Sequence, residues 1–112
     1  MENRTLKSSE LSVIAADVSI EGTLFVKREL HFFGKLTGEL VGSEQSLILI
    51  KEGAVIEGKI TANEIIIDGF VNGEIHGKSK VWVTQKARVI GNVQSPSLQV
   101  DPGAIFEARV KM

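Results

Sequence analysis

Two histidines, a recurring glutamate and one tryptophan are the residues whose type and placing invite a chemical reading. A histidine that works as a general base needs its substrate within hydrogen-bond reach, and its ring is commonly oriented by a carboxylate. His31 lies between Leu30 and Phe32, and His76 follows Ile75. Strand alternation points His31 outward, and no orienting carboxylate is identifiable beside either ring, so both read as surface histidines. Glu21, Glu39, Glu57, Glu74 and Glu107 each flank a glycine or, at 107, an alanine. A cation site or a glycosidase pair would need such carboxylates to converge. Glu21 and Glu57 precede their glycine whereas Glu39 and Glu74 follow theirs, with Lys35 and Lys59 nearby, which reads as a solvated face of compensating charges. The chain has no cysteine, which excludes disulfides, thiolate metal sites and thiol nucleophiles. Its 13 basic and 14 acidic residues leave no basic face for a nucleic acid. No catalytic, cofactor-binding or metal site is expected.

Trp82, between Val81 and Val83, also points outward by alternation. An exposed tryptophan marks a partner surface; the competing expectation is that it packs over a neighbouring outward ladder containing Leu49 and Ile66.

What positions these side chains is a repeat. The phrase apolar–any–Gly–any–apolar occurs at 20–24, 36–40, 56–60, 71–75 and 89–93, and a last copy at 106–110 has Ala108 in place of glycine. The central residues follow one another at intervals of 15 to 20. A short alternating strand precedes most copies, as in Ile48-Leu49-Ile50, Ile65-Ile66-Ile67 and Val81-Trp82-Val83. The connecting turn is short at 33–35 and 68–70. It is long at 51–55, 84–88 and 101–105, and there its fourth residue is always alanine: Ala54, Ala87, Ala104. A small residue at one fixed place is what a crowded inside corner requires.

A recurring unit of this length signals a solenoid. The chain is expected to be all-β, a right-handed parallel β-helix of about six short coils over 12–112, preceded by a flexible tail at 1–11. Handedness follows from the general preference of parallel crossovers. Inward ladders should run Ile56, Val71, Val89, Phe106 and Ile60, Ile75, Val93, Val110. The rival is a left-handed hexapeptide helix of the acyltransferase type, which demands an apolar residue at every sixth position. The inward spacings here mix 2, 4, 5 and 6. A monomeric solenoid that binds a partner through the Trp82 face is the third reading.

The runs SVIAADVSIEG at 12–22, EGAVIEG at 52–58, DGFVNGEI at 68–75 and PGAIFEARVKM at 102–112 resemble bactofilin domains. The resemblance covers residues 12 to 112. It implies a compact right-handed β-helix that polymerises end to end, without nucleotide or any cofactor, into filaments lacking polarity. It further implies a bacterial cytoskeletal scaffold for cell shape or for placing cell-envelope proteins. Its partners would be itself and cell-wall or inner-membrane proteins, and its place the cytoplasm or the inner face of the cell membrane. An apolar residue of the last coil, usually phenylalanine, serves polymerisation in that family, and Phe106 is the matching position. Many members touch the membrane through a short N-terminal segment; Leu6 and Lys7 are the candidates here, although Met1-Glu2-Asn3-Arg4 lacks the apolar residue followed by lysines that such segments carry.

Physical reasoning points the same way. A solenoid ends in unpaired strand edges around a cross-section of apolar side chains, and monomeric solenoids cover them. With no cap expected beyond Val110, the residues Ile105, Phe106 and Val110 are the predicted polymerisation interface. Six coils at the strand spacing give an axial length of roughly 30 Å per subunit.

Overall fold

The computed structural model describes residues 11–111. These form ten strands: β1 (Leu11–Ile14), β2 (Ser19–Val26), β3 (Glu29–Phe32), β4 (Lys35–Gly42), β5 (Leu47–Ile50), β6 (Val55–Ile67), β7 (Phe70–Val83), β8 (Arg88–Gln94), β9 (Leu98–Val100) and β10 (Ile105–Lys111). Every pairing is parallel. Each coil lies in register on the one before it, which makes a parallel β-solenoid of about six turns. The first strand takes in Leu11, the last residue assigned to the tail.

The expected ladders are present. Ile20, Leu36, Ile56, Val71, Val89 and Phe106 form one continuous register, and Leu24, Leu40, Ile60, Ile75, Val93 and Val110 another. Two more come from the short strands: Leu30, Ile48, Ile65, Val81, Leu98 and Ile14, Phe32, Ile50, Ile67, Val83, Val100. Their middle members are essentially sealed from solvent. Like side chains stacked at strand spacing fill the core, and each sealed Ile, Leu or Val contributes about 1.5–3 kcal/mol.

Corners explain the rest of the repeat. Glycines 22, 38, 58, 73 and 91 stand in register, and all have positive φ. The chain turns there into a second leg without leaving the ladder, a backbone state costly for any residue with a Cβ. Ala108, the last member of this column, has no positive φ. At the other corner Val55 N–H donates to Gly34 O, Phe70 N–H to Ala54 O, Arg88 N–H to Gly69 O and Ile105 N–H to Ala87 O. Ala54 and Ala87 are buried, as a crowded inside corner demands. Short and long turns thus put glycine and alanine on one axial line.

The strands are longer than the expected very short ones. β6 and β7 run through the third corner into the next coil, at Ala62 and Gly77, with one irregularity between Ala62 and Glu64. At the equivalent corner of earlier coils Ser43 Oγ donates to Lys27 O, and Ser46 Oγ donates to Ser43 O while accepting from Asn63 N–H. These bonds satisfy the buried hydroxyl of Ser46.

Candidate functional site

The residues considered for catalysis are not brought to one place. His31 and His76 lie on different outward columns, the first with Leu49 and the second with Thr61. One expectation is corrected: His31 does have a carboxylate beside it. Its Nε2 lies 2.7 Å from Glu29 Oε2, because residues two apart on a strand share a face. The signal was available in the spacing Glu29-Leu30-His31. Both groups are partly exposed. Among the described residues there is no group of three His, Cys, Asp or Glu placed to hold a metal ion. Glu39, Lys59 and Glu74 occupy one ladder in alternating charge, and Glu21 and Glu57 another with Thr37 between them. The first ladder alternates in charge, whereas the second carries no cation among the described residues.

The end coils are a different matter. Among the described residues β1 and β2 pair on one side, with β3 and β4, and β9 and β10 on one side, with β7 and β8. Among the described residues every large apolar side chain that stands exposed belongs to these two coils: Leu11, Val13, Val18 and Phe25 in the first, Val100, Ile105 and Val110 in the last. Phe106 and Leu98 are half-buried, whereas Val89 and Val81 beneath them are sealed. Val100 and Val110, the last members of two inward columns, stand exposed, and Ile14, Ile20 and Leu24 at the other end are only partly buried, so the inward columns reach both end faces without closing. Val110 is 44% exposed as the last member of its core ladder. Ile105 differs from its two companions. It continues the outward column Lys35, Val55, Phe70, Arg88 and stands on the side of the last coil, not on the core face. Leu6 and Lys7 lie outside the described residues. Among the described residues no helix is long and apolar enough to cross a membrane.

A third surface is the wall built by the short strands. Three outward columns run along it. The first holds Leu11, Glu29, Leu47, Glu64 and Lys80; the second Val13, His31, Leu49, Ile66, Trp82 and Gln99. The third, just past the strands, holds Phe33, Lys51, Asp68, Thr84 and Asp101, each donating its N–H to the coil before. Trp82 is partly buried and packs in the column after Leu49 and Ile66, as one of its two readings anticipates. Its Nε1 donates to Asp101 Oδ2 at 3.0 Å, Gln99 Nε2 donates to Asp101 Oδ1 at 3.0 Å, and Lys80 Nζ stands 5.3 Å from the ring centroid. Thr84 Oγ1 donates to Asp68 Oδ1. The indole is anchored at its Nε1 by Asp101, with its ring partly open to solvent.

Comparison with known proteins fits this geometry. A family described as bactofilin, polymer-forming cytoskeletal, matches residues 12–111. Bactofilin BacP of Myxococcus xanthus (strain DK1622) is 27% identical over 101 residues, which are 90% of this chain and 41% of that protein. Bactofilin BacO of the same organism is also 27% identical over 101 residues, 90% of this chain and 79% of the relative. The chain thus spans well under half of one relative and about four-fifths of the other. Among solved structures, a cryo-EM reconstruction of Thermus thermophilus bactofilin double helical filaments superposes with a TM-score of 0.78 at 20% identity, over 88% of this chain and 96% of that one.

Proposed function

Since the chain belongs to the bactofilin family of polymer-forming cytoskeletal proteins, we propose that it assembles by stacking its solenoids end on end, without nucleotide, and that pairs of the resulting filaments wind together as the Thermus filaments do. The observation that carries this reading is the pair of end coils, each hydrogen-bonded on one side among the described residues and each presenting half-covered core ladders. Docking another coil on Phe106 and Val110 would finish their burial, at about 1 kcal/mol per residue, and would supply partners for a row of strand N–H and C=O groups. Ile105, on the side of the last coil, would form the rim of that contact. Summed over a face, such terms exceed what ordering two rigid subunits costs only when the fit is close, and an in-register β-stack is a close fit by construction.

The scaffold would serve cell shape or the placing of cell-wall and inner-membrane proteins, in the cytoplasm or against the inner face of the membrane, with Leu6 and Lys7 as the candidate membrane contact. Negative-stain microscopy of the purified chain tests the assembly reading. Filaments with an axial repeat near 30 Å support it, and a strictly monomeric species at high micromolar concentration overturns it.

A further inference from the structure

We infer that the Trp82 wall is the lateral contact between two filaments, and that the two subunits meeting there run antiparallel, with Glu29 of each facing Lys80 of the other. This deepens the reading above and rests on it. The argument starts from the columns. Two identical walls can face each other through a two-fold axis in just two ways that keep their columns parallel. If the axis lies along the strands, each column faces its own copy and the coil order is reversed. If the axis lies along the solenoid, coil order is kept, and the first column faces the third.

The first arrangement matches the outward residues. The second coil meets the fifth, which sets Glu29 against Lys80 and His31 against Trp82 of the second copy. The third coil meets the fourth, which sets Leu49 against Ile66 and Lys51 against Asp68. Each of these pairs occurs twice by symmetry, so four ion pairs surround an apolar centre. In the second arrangement Glu64 meets Asp68 twice, like charge against like; Leu47 faces a charged group in both, Glu64 in the first and Lys51 in the second, so the like-charge contact decides between them. Complementary potentials are what select an orientation between surfaces of similar shape. The wall carries Glu29, Glu64, Asp68 and Asp101 against Lys51 and Lys80, a balance that disfavours an anionic bilayer as its occupant.

The size of the wall sets the strength. Six coils of about 4.8 Å by a strand of about five residues give on the order of 500 Å² per copy, short of the roughly 800 Å² per partner typical of stable complexes. Free subunits should therefore stay unpaired, and pairing should need many contacts along two filaments.

A charge swap tests the geometry. Glu29 and Lys80 lie three coils apart in one chain, roughly 14 Å, too far to restore each other within a subunit. Lys80→Glu and, independently, Glu29→Lys should each yield single filaments by negative-stain microscopy, with unchanged far-UV circular dichroism. The double variant E29K/K80E should restore paired filaments to at least half the native fraction. Pairs that persist in both single variants, or a double variant that stays single, overturn the antiparallel wall contact. Native filaments that are single overturn the lateral contact while leaving end-to-end assembly intact, and a native chain that forms no filaments overturns the assembly reading itself.

Discussion

The place that a Cβ would take on Gly58 is already filled by the carbonyl oxygen of Gly38 in the preceding coil. The same overlap recurs up the column wherever one glycine follows another, and it ends at Gly22, where a Cβ would meet nothing within 4 Å. Both glycines have positive φ, 142° and 123°.

The two positions separate backbone strain from coil packing. Gly22→Ala should cost about 1–3 kcal/mol, the strain of an unfavourable φ alone. Gly58→Ala must in addition push two coils apart and should cost more than about 4 kcal/mol, beyond the usual range for one substitution. Urea unfolding of polymerisation-defective protein measures both, and equal losses would mean that the Gly38 carbonyl gives way to a Cβ at no cost.

Phe106→Arg places a charge on the end face. The half-buried side chain sits in the terminal coil, so the fold should survive, with far-UV circular dichroism unchanged. Sedimentation should shift from polymer to small species. Filaments that persist in this variant would remove Phe106 from the interface.

Ile60 is sealed in the third coil, three coils from the last. Ile60→Ala should cost about 2–5 kcal/mol through the cavity it leaves, against under about 2 kcal/mol for Val110→Ala in the half-open end of the same ladder. Thermal melts of both variants in the Phe106→Arg background give the comparison free of assembly.

Salt should act on the two contacts differently. End stacking rests on apolar burial and strand pairing, lateral pairing on four ion pairs at a partly wet wall. Raising sodium chloride to roughly 1 M, where the screening length falls to about 3 Å, should separate paired filaments and leave single ones. Microscopy across a salt series reads the outcome directly, and filaments that fall apart at their ends first would reverse the assignment.

Trp82, the one tryptophan of the chain, reports on the wall without a label. Its emission should shift to shorter wavelength when native filaments pair, and should stay at the monomer wavelength in single filaments of the Lys80→Glu variant. An emission maximum indifferent to pairing would place the indole away from the contact.

The β-solenoid, its six coils and its inward ladders were legible from residues alone. A period-2 strand pattern and a glycine phrase recurring at intervals of 15 to 20 leave one economical way to bury Ile, Leu and Val, namely coil on coil. The small residues at the turn corner were legible too, since Ala54, Ala87 and Ala104 hold one place in three turns. Of the outward columns only the one through Leu49, Ile66 and Trp82, central in the alternating strands, was legible; those nearer the corners were not. Turns of unequal length and the irregularity between Ala62 and Glu64 shift the count between coils, so a residue's neighbour above or below depends on how each corner absorbs its extra residues. Tertiary structure alone set Trp82 beside Asp101, nineteen positions away, and put Glu29 and Lys80 on one column. Inward positions are dictated by burial, which any solvent-fearing side chain announces; outward ones are dictated by register, which exists only once the coils have stacked.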